Sequence, residues 1–493
     1  MSENNKTKFP EAVSVTLIFE ASALNRDEKL GGNIPSIKKM TRFGNKTFSY
    51  LSRVALRHYL FETLSKIYKD DWTPANCFES GSGENKVVQF DLKTQNILTH
   101  AELDAFGYMF TIGGQQSITR KAPVGITKAV ALETWEGDMQ FNANHDLASR
   151  CESNPNPVNK EEHQSFFKVS FTIDCNKLGY DEWWIKDYNF NDTTKMLTLF
   201  LSEKGTDIVL KDVEMGDEEL QFKVGKYEIS IDGLLCTVSK ELLEEKKEKS
   251  KNQEEKKYIA FKNEFLEKAK KENEQKEQSS NGEKGKGKTK TFKIYEGEYN
   301  VDDEGNFYQF NIGKYSYDKE KKTLTLSLVL THSIQADETK KDKEYSVKKG
   351  NCLIGKIIIK EENNKKKAVF ELEKKEKQER LSQILNVLKN GLIYHSSGEN
   401  YGIVPQFMIA AGLKLPIPLF HSFVELGNFE NSVMNTGYIS RSKDNNKNKL
   451  IYVYNPKNLV NIDSANLYTD WDDFLNNLGV KEKNGSDQTS TQD

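Results

Sequence analysis

The run from Thr41 to Tyr68, TRFGNKTFSYLSRVALRHYLFETLSKIY, constrains this chain more than any other stretch. Its first half is basic and aromatic, with Arg42, Lys46, Phe48 and Tyr50 leading to Ser52. From Ser52 the pattern turns helical. Ser52 suits the N-cap, because its hydroxyl accepts an N–H of the first turn. Arg53 and Arg57 then stand one turn apart on one flank. Leu56, Leu60, Leu64 and Ile67 form an apolar ridge, and Val54, Phe61 and Tyr68 form a second. A helix that is apolar on more than one side is covered on more than one side, so its beginning is the part left open. A helix start offers unpaired N–H groups and a positive dipole end, both suited to a phosphate. The competing reading is a buried helix whose arginines pair with carboxylates of the chain itself.

Composition sets the limits around this segment. A chain of 493 residues holds one large domain with insertions or two to three ordinary ones. The net charge of −3 is not that of a uniformly basic nucleic-acid binder, so any phosphate-binding groove has to be local. Five cysteines (Cys77, Cys151, Cys175, Cys236 and Cys352) are scattered without C-x-x-C spacing. They are expected to be reduced, mostly buried thiols of a cytoplasmic protein. The N-terminus lacks the apolar core of a signal peptide, and no apolar run approaches membrane-spanning length.

Two blocks carry a family resemblance. Tyr50-Leu51-Ser52-Arg53-Val54-Ala55-Leu56-Arg57 resembles the Y-V-S-x-Q-A-L-R segment that opens the first helix of Cas7 proteins, the backbone subunits of CRISPR effector complexes. Residues 119–132, followed by Gly137-Asp138-Met139-Gln140-Phe141-Asn142-Ala143-Asn144, resemble the R-x-S-P-V-R-I-S-P-A-I-S-L … G-D-x-x-F-x-x-N block of the Cst2/DevR branch, the Cas7 of type I-B systems. Val54, Ala122, Gly125 and Lys128 depart from that pattern, which touches individual contacts more than the family. The resemblance implies an α+β fold: a ferredoxin-like, RRM-type (RAMP) palm with large β-rich finger and thumb insertions.

In chain order, Ala12–Glu20 alternates as a strand with both faces rather apolar, as a central strand would. A long polar loop follows, carrying Arg26, Lys38 and Lys39. Strand, loop and helix make 1–85 the first half of the palm. Residues 86–163 form the finger and thumb insertion, where Arg120, Lys121 and Lys128 are expected at phosphates and Trp135 or Phe141 at a base. Palm strands are expected over 164–238. In 239–290 Lys and Glu dominate, which predicts an exposed charged helix running into a flexible tract. Remaining palm strands, a second helix and a closing strand occupy 291–430. Leu381, Ile384, Leu385 and Leu388 share one face of a helix over 374–390, and Gly391 supplies its stop. Leu392-Ile393-Tyr394 reads as the closing strand, ending in a polar turn with Ser397 and Asn400. Residues 431–493 form a polar extension with Tyr452, Tyr454 and Trp471 as docking points and a disordered end.

Against an enzyme, the chain has no phosphate-cradling or dinucleotide glycine motif, no H-E-x-x-H and no G-x-S-x-G, and its seven histidines lack metal-ligand spacing. The expectation is therefore a non-catalytic subunit that needs no cofactor. By resemblance, copies stack along a CRISPR RNA beside Cas5, Cas6 and Cas8-type subunits, and the guide pairs with target DNA. Ser52, Arg53 and Arg57 would hold phosphates. Arg42, Lys46, Tyr50 and the loop residues Arg26, Lys38 and Lys39 would line the groove. Two alternatives stand beside this: an RNA-cleaving subunit like type III relatives, using Asp27, and a DevR-type regulatory protein.

Overall fold

The computed structural model describes residues 9–27, 35–80, 87–113, 116–202, 206–216, 220–232, 235–249, 255–267, 293–295, 299–302, 304–396, 399–442, 449–463 and 467–480. Its organising element is β1 (Ala12–Ser22), eleven residues with only Glu20 exposed. Around it lie β2 (Lys39–Arg42), β3 (Lys46–Leu51), α1 (Arg53–Ile67), β4 (Val124–Ile126), β5 (Ala129–Ala131), β6 (Gln164–Asp174), α2 (Lys374–Asn390), β7 (Phe407–Leu413) and β8 (Ile451–Tyr454). These strands form one eight-stranded antiparallel sheet in the order β2-β3-β5-β6-β1-β7-β8, with β4 also on β6. β1 is zipped to β6 over its whole length, from Ala12 opposite Asp174 to Ser22 opposite Gln164.

Alternation along the strands divides the chemistry of the two faces. Val13, Val15, Leu17 and Phe19 of β1 and Phe167, Val169, Phe171 and Ile173 of β6 point to the face that carries α1 and α2. There they meet Leu56, Leu60 and Leu64 of α1 and the Leu381, Ile384, Leu385 and Leu388 stripe of α2. The opposite face bears Ala12 and Ile18 with Phe407, Ile409 and Leu413, roofed by Phe420, Val424, Phe429 and Val460 of the 414–463 region. The fold is α+β, and among the described residues α1 and α2 both lie on one face of the sheet.

Two further bodies grow from this palm. One has a five-stranded sheet in the spatial order Tyr180–Ile185, Lys365–Leu372, Cys352–Glu362, Glu344–Lys349, Asp337–Glu338, with its own core. The other is a β-rich unit over 206–328 whose core includes Phe222, Ile231, Phe310 and Leu326.

Several expectations need correction. Of the strands expected in the palm over 164–238, only β6 joins the central sheet. β4 and β5, placed in the finger by sequence, belong to that sheet because Gly125 and Val130 pair with Thr172 and Lys168. Where it is described, the 239–290 segment has no α-helix, only the short 3-10 turns Lys240–Leu242 and Asn263–Phe265. Leu243–Lys249 and Glu255–Phe261 form a hairpin, because Leu243, Ile259 and Phe261 alternate into the β-rich core while the Lys and Glu side chains face out. Residues 268–292 lie outside the described residues, as does the end of the chain. The closing strand is β7 and not 392–394, since among the described residues Leu392–Ser396 pairs only with Glu399–Ile403. Tyr452 and Trp471 are not outward docking points: Tyr452 is buried in β8, meeting Trp471 edge-on and Phe474 at a tilt. Cys77, Cys151 and Cys352 are exposed, and only Cys175 and Cys236 are buried.

Candidate nucleic-acid interface

Ser52 caps α1 as its sequence requires: its hydroxyl accepts the Ala55 N–H at 3.2 Å, and its own N–H donates to Asn25 Oδ1 at 2.7 Å. The extended backbone of Ser52 turns the chain directly from β3 into the helix. The two arginines at this start separate. Arg57 donates to Glu102 at 3.1 Å and stacks its guanidinium on the Phe106 ring, 4.8 Å from the centroid. It therefore does not stand free for a phosphate, and for this residue the competing reading holds. Arg53 is exposed and makes no ion pair among the described residues.

The same alternation sorts the β2–β3 ribbon. Arg42 pairs with Lys46, Met40 with Phe48 and Lys39 with Ser49, and the Tyr50 N–H bonds the Lys38 carbonyl. Lys38, Arg42, Lys46, Phe48 and Tyr50 thus share the sheet face away from the helices. Lys39 and Leu51 face the other way. Lys39 is consequently held by Glu161 at 2.6 Å and lies 3.8 Å over the Trp135 ring, which corrects its assignment to the groove. Arg26 is likewise held, donating to the Pro35 and Glu161 carbonyls.

Arg120 departs furthest from expectation. Only 8% of it is exposed, and it donates to Asp104 at 2.6 Å and to the Lys177 carbonyl at 2.8 Å. It is a buried structural arginine, its guanidinium enclosed by Asp104 and the carbonyls of Tyr180 and Lys177, and Gly107 brings the chain hard against its backbone. Gly107 has φ of +67°, and a Cβ there would sit 2.4 Å from the Arg120 carbonyl. Lys121 is exposed but precedes β4, at the Asp174 end of β6. Trp135 is half-buried against the palm core and donates its indole N–H to the Glu162 carbonyl, so it is not free to stack. Phe141 is 63% exposed on the hairpin Met139–Ala143/Pro157–Glu161. Asn400 is exposed beside His395 on a hairpin tied through Glu399 to Lys160. Ser397 lies outside the described residues, as does the Asp27 side chain.

What the structure brings together is a strip along β3. Lys128 lies 4.6 Å over the Tyr50 ring and Arg42 lies 5.8 Å over Phe48. Lys46 and Arg53 close the two ends. From Lys46 to Ser52 the strip runs roughly 20 Å at strand rise. Arg42, Lys46, Arg53 and Lys128 have no carboxylate partner among the described residues, in a chain whose net charge is negative.

Sequence reading missed two neighbours of this strip. Lys168 shares a row with Tyr50 and Val130, on the outer face of β6. Its ammonium donates to the Val424 carbonyl at 2.7 Å, and burial, opposed by the Glu425 carboxylate and helped by Arg42, pulls its pKa below the ordinary lysine value. His421 Nδ1 lies 2.9 Å from Ser170 Oγ, which is 2.7 Å from Thr16 Oγ1. Burial, then Lys168 and Arg42, push the His421 imidazole down to about 4. A lone lysine in the apolar run FFKVSFTID is a legible signal for Lys168. Nothing near His421 in sequence marks it.

Among the described residues no group of three or more His, Cys, Asp or Glu side chains is placed to hold a metal ion, and no helix is long and apolar enough to cross a membrane.

Residues 13–436 match the family described as CRISPR-associated negative auto-regulator DevR/Csa2. The match spans most of the chain, and the chain belongs to that family. No curated protein matches it. Among solved structures, one chain of a CRISPR RNA-guided surveillance complex, pre-nicking, is similar at 9% identity with a TM-score of 0.26. That alignment covers 34% of this chain and 65% of the other, so the chain spans just under two thirds of that relative's length.

Proposed function

We propose that this chain is a guide-RNA-binding backbone subunit of a CRISPR interference complex of type I-B, built on an RRM-type palm and acting without catalysis. One observation carries the reading: among the described residues Arg42 and Lys46 on the β2–β3 ribbon, Lys128 just before β5 and Arg53 at the start of α1 have no carboxylate partner and lie beside Phe48 and Tyr50, along the edge of a sheet in a mildly acidic protein. Cations over aromatic rings are the combination that tracks a single strand of nucleic acid, the charges meeting phosphates and the rings meeting bases. Membership of a CRISPR-associated family supplies the class of strand.

Supporting the RRM-type palm, the strand order β7-β1-β6-β4/β5, with α1 and α2 crossing one face, is that of a β-α-β-β-α-β unit. In this reading copies stack head to tail along the guide, a heterologous contact whose length the RNA limits. The guide pairs with target DNA while the protein grips backbone and shape. Cas5, Cas6 and Cas8-type subunits complete the assembly.

Co-expression with a repeat-spacer transcript tests this. The expected product is a ladder of oligomers carrying nuclease-protected RNA. Recovery of an RNA-free monomer from cells that express the transcript would count against the reading.

A further inference from the structure

We propose that His421 contacts the ribose 2′-hydroxyl of the bound strand and is the residue by which this groove tells RNA from DNA. The inference rests on the RNA-groove reading and extends it to one atom of the ligand.

The inner side of the imidazole is fixed. Nδ1 faces Ser170 Oγ at 2.9 Å, and Ser170 Oγ faces Thr16 Oγ1 at 2.7 Å, a relay across the outer face of β1 and β6. The main chain of His421 is anchored too, its N–H donating to the Pro418 carbonyl. Nε2 makes no hydrogen bond among the described residues, and the side chain is only partly covered.

The flanking charges explain why the partner is a hydroxyl rather than a phosphate. Arg42 and Lys168 stand close enough to act on the imidazole, and together with burial they keep the ring neutral near pH 7. A neutral ring presents at Nε2 either an N–H or a lone pair. Both ends of the Thr16–Ser170 relay are hydroxyls, which donate or accept, so the tautomer can follow whatever group arrives. A phosphate oxygen only accepts and is better served by Arg42 on the same face. A hydroxyl donates and accepts, and matches Nε2 in either tautomer. On RNA the sugar group of that kind is the 2′-hydroxyl, which DNA lacks. Arg42 would hold the neighbouring phosphate in either polymer.

Two substitutions separate recognition from packing. In His421→Asn the short amide keeps a partner for Ser170 and loses the outward nitrogen. In His421→Gln the longer amide keeps an outward group and loses the inner one. The full-length protein is titrated at fixed salt with a short single-stranded RNA and with DNA of the same sequence, and melting temperature is followed in parallel. The expected result is that His421→Asn lowers RNA affinity by about five-fold, the worth of one hydrogen bond, with DNA affinity and melting temperature unchanged. His421→Gln should retain part of the preference, and Arg42→Gln should weaken both polymers alike. An unchanged RNA-to-DNA ratio in His421→Asn, or an equal loss for both polymers, overturns the proposal. Unmodified protein that binds RNA and DNA equally overturns it while leaving the RNA groove standing. Unmodified protein that binds neither overturns both.

Discussion

Asp104 lies between two arginines, with Oδ1 2.6 Å from Arg120 Nη2 and Oδ2 2.9 Å from Arg380 Nη1. Arg120 ends the strand Gln116–Arg120 and Arg380 belongs to α2, so one carboxylate joins the 101–120 region to the palm. The site is closed by further bonds: Asp104 also accepts the Gly179 N–H, and Arg380 donates to the carbonyls of Ile97 and Leu98. Asp181 lies 3.5 Å from Arg120 and accepts the Tyr108 hydroxyl. Every charge in the cluster is compensated, which a side chain with no exposed surface requires.

Neutralising Asp104 leaves the buried Arg380 without a carboxylate partner among the described residues and leaves Arg120 with Asp181 alone. We expect Asp104→Asn to destabilise the protein by about 3–5 kcal/mol, the usual cost of breaking a buried pair from one side. Chemical denaturation measures it. A loss below roughly 1 kcal/mol would mean that the arginines find other partners and that the carboxylate is not the junction.

His332 predicts an acid limb of the stability curve. Its Nδ1 lies 2.7 Å from the Leu92 carbonyl, which only accepts, so Nδ1 carries the proton and Nε2 is left to accept from Asn96 Nδ2 at 3.1 Å. Burial lowers the folded-state pKa to about 4, whereas the unfolded chain keeps the ordinary histidine value of 6.5. Between those values the unfolded state binds the additional proton, so stability falls as pH drops from 6.5 towards 4 and levels below it. The integrated loss is on the order of 3 kcal/mol. In His332→Gln this segment of the curve should lose the part of its slope that His332 supplies and keep the part that His421 supplies. An identical slope in that variant would assign the limb to other groups.

The sequence allowed the two longest strands of the sheet and both long helices to be placed, because Ala12–Glu20, Gln164–Ile173, 53–67 and 374–390 each repeat one period over many residues, whereas its pattern assigns the short strands β4, β5, β7 and β8 elsewhere. It did not allow the cations to be sorted. Arg53 and Arg57 look equivalent, yet Glu102, 45 positions away, claims only Arg57. Lys38 and Lys39 are neighbours, yet alternation sends one outward and the other to Glu161. Those outcomes depend on where distant carboxylates land, which no local pattern encodes. The 243–261 hairpin was hidden for a different reason: dense Lys and Glu mask the alternation of its few apolar residues.

The split between the two arginines of α1 gives a paired prediction. Arg53→Glu should leave the melting temperature unchanged and weaken RNA binding, lowering the salt dependence by about one phosphate contact. Arg57→Glu should act on stability first, since it sets a second carboxylate against Glu102, with a loss on the order of 2 kcal/mol. Binding isotherms over a salt series, read beside thermal melts, distinguish them. Equal behaviour of the two variants in both measurements would contradict the division of roles.

Phe141 is the last case, where exposure itself is the argument. Met139 and Phe141 are 48% and 63% exposed on one edge of a two-stranded hairpin, and Leu147 beyond them is 57% exposed. Side chains of this size left in water do little for the fold of the free chain, so Phe141→Ala should shift stability by no more than about 0.5 kcal/mol. If the hairpin closes over the strand held by Arg42 and Lys128, the ring meets a base there, and its loss should weaken RNA retention by about 1–3 kcal/mol. Phe141→Tyr keeps a stacking face and should retain most of the affinity. Were Phe141→Ala to retain RNA fully, the hairpin would have to act on a protein neighbour instead, and the oligomer ladder rather than RNA affinity would then be the quantity that changes.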